Sequence, residues 1–481
     1  MSERTGFSQV IRFDSELLEL LRLLCLQRIV GMPEPPVLIV SVSGVRGLIG
    51  NGLSADVAVR FAAAFGSTVA GQTVVVSRDG RPSGDMLRHA VIAGLLEAGC
   101  TVEDIGIAPT PTCGIAVRQL RAAGAIQITA SHNPAPWNGL KMFGADGAVL
   151  SAEQGAHVRA LYESGHFPRA AWNRTGTTRV PPDVLAEHEK AVLDTVNAAA
   201  IAEQNFSVLL DANAGAGGPL GSQLLHDLGC SVMEYECEPT GAFAHEPEPI
   251  PAHLTEVAPW VASSASRLGF VLDPDADRLA LIDEHGNCVS EEVTLALAVK
   301  YRLRRERGPV VINMSTSRMV EDVAREQGCP CVRAAVGEAN VVARMREQGA
   351  IIGGEGNGGV IDPRVGWVRD PFVGMAFILA LLAEERKPFS QLVAELPRYA
   401  MLKTKCTLPR EKLPAALATL EGNWPDARIN REDGLRLDGP DWWLHVRSSN
   451  TEPIIRIIAE AHTETQVNQL CQAAQTLVAS A

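Results

Sequence analysis

Ile126-Gln127-Ile128-Thr129-Ala130-Ser131-His132-Asn133-Pro134 is the stretch from which the fold of this chain can be read outward. Its β-branched start reads as a strand, and Asn133-Pro134 stops regular structure, so a strand runs directly into a loop. Small Ala130 precedes Ser131, and the loop displays the serine hydroxyl. An ordinary turn whose serine caps the backbone is the competing reading of the six residues from Thr129.

The same strand-then-loop rhythm recurs along the chain. Strands are expected at Thr73 to Val76, Ala125 to Thr129, Val208 to Leu210, Gly269 to Leu272 and Val310 to Ile312. Amphipathic helices are expected between them, at Asp56 to Phe65, Met86 to Ala98, Val184 to Ala198 and Thr294 to Arg305. Alternation of this kind builds layered α/β units, here in at least three blocks. From about Met401 the pattern changes to a shorter α+β unit with strands at Trp442 to Val446 and Ile454 to Glu460. Polar and Pro-rich breaks divide the chain into 37–181, 182–285, 286–392 and 393–481, behind an N-terminal extension, 1–36. Within that extension Leu17 to Leu24 reads as a short amphipathic helix. It lacks the basic start and cleavage site of a signal peptide.

Composition narrows the function. At 481 residues the chain holds roughly three or four domains. Hydrophobic residues make up 46% and charged ones 21%, as in folded globular proteins. A net charge of −13 argues against nucleic acid or an anionic membrane as partner, because both need a clustered positive surface. An anionic small molecule would need a local basic pocket. No apolar run reaches the roughly 20 residues of a membrane span, and the ten cysteines show no disulfide rhythm, so a reducing cytoplasm is expected. Cys329-Pro330-Cys331 has no second pair at zinc-ligand spacing and reads as buried thiols.

Three further loops carry chemistry. Asp273-Pro274-Asp275-Ala276-Asp277-Arg278 follows an apolar strand, and its alternating carboxylates can turn to one point. Three such charges need a cation, and hard oxygen ligands suit magnesium; a solvated acidic turn is the alternative. Gly353-Gly354-Glu355-Gly356-Asn357-Gly358-Gly359 lets the backbone approach a ligand and leaves Glu355 and Asn357 to bond sugar hydroxyls. A flexible hairpin or a phosphate cradle competes, but no Lys-Ser or Lys-Thr follows. Arg447-Ser448-Ser449-Asn450-Thr451-Glu452-Pro453 gathers a guanidinium, hydroxyls and an amide into a phosphate socket, or forms a capped turn. Two more loops bear arginines. Arg46, in Ser43 to Gly47, can reach a cleft, whereas Arg78, Asp79 and Arg81 read as an internal ion-pair network. Lys141, ten residues past Ser131, is near enough along the chain to return to the same site.

Together, in this order, these motifs resemble the α-D-phosphohexomutase family of phosphoglucomutases, phosphomannomutases and phosphoglucosamine mutases. The resemblance runs from about Val37 to the C-terminus. It implies four domains around a central cleft, three mixed-sheet α/β and a smaller C-terminal α+β one that can swing. It also implies a phosphoserine at Ser131 and magnesium held by Asp273, Asp275, Asp277 and the Ser131 phosphate. Glu355 and Asn357 match the sugar loop, Arg447, Ser449, Asn450 and Thr451 the phosphate loop, and Arg46, His132, Lys141 and Arg278 positions that assist transfer.

The implied reaction interconverts hexose 1- and 6-phosphates of glucosamine, mannose or glucose. It passes through a bisphosphorylated sugar, with a hexose bisphosphate as activator, in a cytoplasmic monomer or homodimer whose partners are sugar phosphates. Many relatives place serine where Asn357 stands and histidine where Gly359 stands, so a loop histidine is unavailable here. Two other classes share some of these features. A haloacid-dehalogenase-like phosphatase would carry phosphate on an aspartate, and a sugar-phosphate-binding regulator would have lost the serine or an aspartate.

Overall fold

The computed structural model describes residues 37–41, 44–408, 410–448 and 454–480. The expected N-terminal helix at Leu17 to Leu24 and the socket residues Ser449, Asn450 and Thr451 lie outside the described residues.

Three mixed sheets and one antiparallel sheet follow one another along the chain. In the first, Thr73–Arg78 pairs in parallel with Thr101–Ile107 and Gly124–Ile128, and Gly124–Ile128 pairs antiparallel with Trp137–Gly144. In the second, Ser207–Asp211 lies parallel to Ser231–Tyr235 and Leu268–Leu272, and Leu268–Leu272 runs antiparallel to Leu279–Asp283. In the third, Val310–Asn313 lies parallel to Cys331–Ala334 and Ile352–Glu355, and Ile352–Glu355 runs antiparallel to Gly359–Ile361. Each set has the same spatial order: fourth strand, third, first, second. The repetition is therefore architectural, and the loop between the third and fourth strands recurs in every set. The serine, aspartate and glycine motifs are those three loops.

The central strands form because their residues are apolar on both faces, as a parallel sheet between helical layers requires. Val74, Val75, Val76, Ile126, Phe270, Val271, Val311 and Ile312 are all fully buried. Helices Ala55–Thr68, Gly84–Glu97 and Glu292–Arg305 cover the sheets and match the expected amphipathic segments. The helix expected over Val184 to Ala198 is split. Val184–Leu193 ends, and a new short helix, Ala198–Ala202, starts where the Asn197 side chain accepts from the Ala200 amide. A capping asparagine in mid-pattern favours a new start over continuation.

The fourth sheet is antiparallel throughout, with Ala400–Thr407 beside Ile454–Ala461, then Trp442–Ser448, Leu435–Asp438 and Arg428–Asn430. Its core includes Leu437, Leu444, Ile457 and Ala474. The Arg46 segment is a correction to the sequence reading. Gly44–Leu48 is a strand, paired with Leu38–Ser41 and Trp137–Gly144, because extension of the first sheet supplies partners for its backbone groups. Among the described residues no helix is long and apolar enough to cross a membrane.

Candidate active site

A cleft of about 830 Å³ opens between the sheets, lined from all four units by residues that include Arg46, Lys141, Arg278, Glu355, Asn357 and Arg447. Ser131 lies at its edge, buried, with a left-handed backbone at φ 52°. That conformation is costly for a residue other than glycine and persists only where the surroundings impose it. Here the surroundings do. The Thr129 hydroxyl accepts from the Ser131 amide at 2.8 Å and donates to Asp79 Oδ2 at 2.6 Å. The buried Arg81 guanidinium pairs with Asp79 at 3.1 Å and donates to the carbonyls of Ser131, Asn133, Pro134 and Trp137. Asp79 and Arg81 thus form the internal ion pair expected of them, and that pair holds the serine loop in shape.

Ser131 Oγ donates to Asp273 Oδ2 at 3.1 Å and lies 3.3 Å from His132 Nδ1. The three aspartates of the neighbouring loop are fully buried, each with a carboxylate oxygen within 4.8 Å of the others. Asp273 Oδ1 accepts from the amides of Asp277 and Arg278, which curls the loop. Asp275 Oδ2 accepts from the Thr110 hydroxyl at 2.7 Å and from Lys141 Nζ at 3.0 Å. Asp277 Oδ2 accepts from Lys141 Nζ at 2.8 Å and Arg369 Nη2 at 2.6 Å. Two oxygens, Asp275 Oδ1 and Asp277 Oδ1, are buried with no hydrogen-bond partner. Unpartnered buried carboxylate oxygens are costly, and a hard divalent cation such as magnesium fits them.

The electrostatics express the same crowding. Burial, then the charges of Asp275 and Asp277, push the Asp273 carboxyl well above its usual range. Burial alone would raise Asp277 too, but Arg369, Lys141 and Arg278 outweigh it and hold Asp277 far down. For Lys141 burial favours the neutral amine, but the two aspartates override it and raise its pKa. Burial, with Arg278 and Arg46 nearby, pushes His132 well below its usual value.

Lys141 reaches the site from the strand Trp137–Gly144, where Gly44 pairs opposite it. Arg46, two residues along the neighbouring strand, donates to Asn133 Oδ1 at 3.0 Å. Arg278 donates to Glu248 Oε1 at 3.2 Å. On the opposite side Glu355 is buried: Oε1 accepts from Asn313 Nδ2 and the Gly337 amide, Oε2 from Arg369 Nη1. Burial would raise the Glu355 pKa, yet Arg369 and the Asn313 bond keep it below its usual range. Glu292 lies under the glycine loop. A Cβ on Gly356 would overlap its carboxylate, and Gly356 donates its amide to Thr316 Oγ1 at 3.0 Å. Burial lifts Glu292 to about 7, against the pull of Lys403. Arg447 belongs to the strand Trp442–Ser448 rather than to a loop and pairs with Asp433 at 2.9 Å. Asp433 also accepts the Val336 amide from the third unit.

Sequence reading missed Arg369, Thr110, Asn313, Glu248 and Glu292. None sits in a motif, although Arg369 directly precedes Asp370-Pro371, a helix-start signal that could have drawn attention to it.

A serine hydrogen-bonded to one of three clustered, buried carboxylates beside a basic cleft shared by four units is the arrangement of a phosphohexomutase. The chain belongs to the phosphoglucomutase/phosphomannomutase family: the models of its alpha/beta/alpha domains I, II and III match residues 38–169, 186–286 and 290–399, and that of its C-terminal domain matches 404–476. It is 34% identical over 444 residues to a probable phosphoglucosamine mutase of Thermococcus kodakarensis, covering 91% of this chain and 98% of that one. A phosphoglucomutase/phosphomannomutase of the same organism is 37% identical over 435 residues, covering 89% and 95%. A solved phosphoglucomutase/phosphomannomutase family protein from Burkholderia thailandensis superposes with a TM-score of 0.80 at 28% identity, covering 92% and 97%.

Proposed function

We propose that this mutase interconverts hexose 1-phosphates and hexose 6-phosphates through a phosphorylated Ser131 and a bisphosphorylated sugar. The observation that carries the reading is the contact of Ser131 Oγ with Asp273, beside two partnerless oxygens of Asp275 and Asp277. Asp273, Asp275 and Asp277 would hold magnesium, which when bound offsets charge on a phosphoryl group at Ser131.

The chain's own residues do the rest. The phosphorus–oxygen bond to Ser131 breaks as one forms to the free C1 or C6 hydroxyl of a hexose monophosphate. The sugar hydroxyl loses its proton, and the serine oxygen regains one. His132, kept neutral by its lowered pKa and 3.3 Å from that oxygen, is placed to relay a proton from the sugar hydroxyl to the serine. Lys141 and Arg278 assist the transfer as positive charges beside the moving phosphoryl group, and Arg46 orders the loop through Asn133. Glu355 has both acceptor sites of Oε1 filled and one left on Oε2, so it offers a sugar hydroxyl a single, oriented acceptor. With Asn357 it reads the sugar, while Arg447, with Ser449, Asn450 and Thr451, grips the phosphate that is not reacting. The bisphosphate then turns over, its second phosphoryl group returns to Ser131, and the isomeric monophosphate leaves. A hexose bisphosphate would prime any unphosphorylated enzyme.

The relatives' names divide between glucosamine and mannose or glucose, so glucosamine, mannose and glucose 6-phosphates form the test panel. With magnesium and a trace of hexose 1,6-bisphosphate, wild type should isomerise at least one of them and Ser131→Ala none. Full turnover by Ser131→Ala would refute the reading.

A further inference from the structure

Arg369 stands between the two halves of the cleft. It precedes Asp370, whose Oδ1 caps the helix Pro371–Glu385 and whose Oδ2 meets His188 Nε2 at 2.7 Å. His188 Nδ1 in turn meets the Thr112 hydroxyl at 2.8 Å, so side chains from three units clamp the backbone here. The Arg369 amide donates to Glu338 Oε1 at 2.6 Å. From this mount the guanidinium forks, with Nη1 on Glu355 of the sugar loop and Nη2 on Asp277 of the aspartate loop, both at 2.6 Å. A planar fork between two carboxylates fixes their relative position in a way that a point charge does not.

Gly359 shows how firmly that place is taken. A Cβ there would lie 2.3 Å from Arg369 Cδ and 2.8 Å from its Cγ. A side chain at 359 would have to displace the Arg369 side chain from this place.

We propose that Arg369 is a positioning residue, a strut that registers the sugar-reading Glu355 against Asp277 so that the bound hydroxyl meets the Ser131 phosphoryl group in line. The proposal rests on the mutase reading above. Loss of the strut should act on transfer more than on binding, because the phosphate grip is elsewhere.

The test measures kcat and KM at saturating magnesium, on whichever sugar phosphate the wild type turns over, for Arg369→Ala, Arg369→Lys, Gly359→Ala and the Gly359→Ala/Arg369→Ala pair. Arg369→Ala should lose about 100-fold in kcat with KM nearly unchanged. Arg369→Lys should recover part of that loss, since an ammonium can satisfy only one direction well. Gly359→Ala should lose roughly tenfold or more in the wild-type background and nothing further beside Arg369→Ala, the non-additivity of two changes acting on one strut. Three results overturn the proposal: folded Arg369→Ala with kcat within about threefold of wild type, a loss confined to KM, or additive losses in the pair. If Arg369→Ala does not fold, Gly359→Ala decides, and unchanged kcat there overturns the proposal. Wild type inert on every sugar phosphate contradicts instead the mutase reading beneath it.

Discussion

The aspartate loop and the glycine loop occupy the same place in successive sheets, each joining the third strand of its set to an antiparallel fourth. They differ in where their chemistry comes from. The aspartate loop carries its own charges, all fully buried, and is short of partners by two oxygens. The glycine loop carries little and is shaped from beneath by Glu292, Thr316, Asn313 and Arg369. On the proposed reading the first gathers a cation and the second presents one acceptor and its backbone to a sugar. Position in the fold thus makes a site available, and side chains decide what it does. On the same reading the reaction class resides in the first loop together with Ser131, and the sugar preference in the second.

Breaking the aspartate loop should give the larger effect. Asp275→Asn should lower kcat about 1000-fold, measured with saturating magnesium. The same variant has a second readout in thermal unfolding. Without divalent cations it should melt above wild type, because one of three crowded buried carboxylates is gone; with magnesium the order should reverse, because the wild type gains more from the ion. Breaking the recognition side should cost less and fall elsewhere. Arg447→Gln should raise KM about 10- to 100-fold, the worth of one charged hydrogen bond to phosphate, with kcat changed less. A kcat-dominated loss at Arg447 would blur the division between the two halves.

Much of this was legible in the sequence for a physical reason. Parallel strands buried on both faces must be apolar and β-branched, so Val74 to Val76, Gly269 to Leu272 and Val310 to Ile312 stand out, and the loops after them stand out by contrast. The Asp-x-Asp-x-Asp spacing and the Ser131 stretch are local patterns. What escaped was whatever depends on meeting a distant residue. Arg369 meets Asp277, 92 positions away, and Thr110 meets Asp275, 165 positions away. Arg81 was read as internal, and it is, but nothing local says that its partners are the carbonyls of the serine loop. The Gly44–Leu48 strand was hidden because two glycines in five residues read as a loop until the first sheet supplies neighbours on both sides. The segment 184–198 failed differently, since Asn197 breaks a helical pattern that hydrophobic spacing alone would continue.

The central claim is that the transferred group resides on Ser131. Its most direct test is peptide mapping by mass spectrometry of wild-type protein after incubation with a hexose 1,6-bisphosphate and magnesium. One phosphoryl group on the peptide that contains Ser131, absent from Ser131→Ala, is the predicted result. Phosphate on Asp273 or Asp275 with Ser131 unmodified would contradict it.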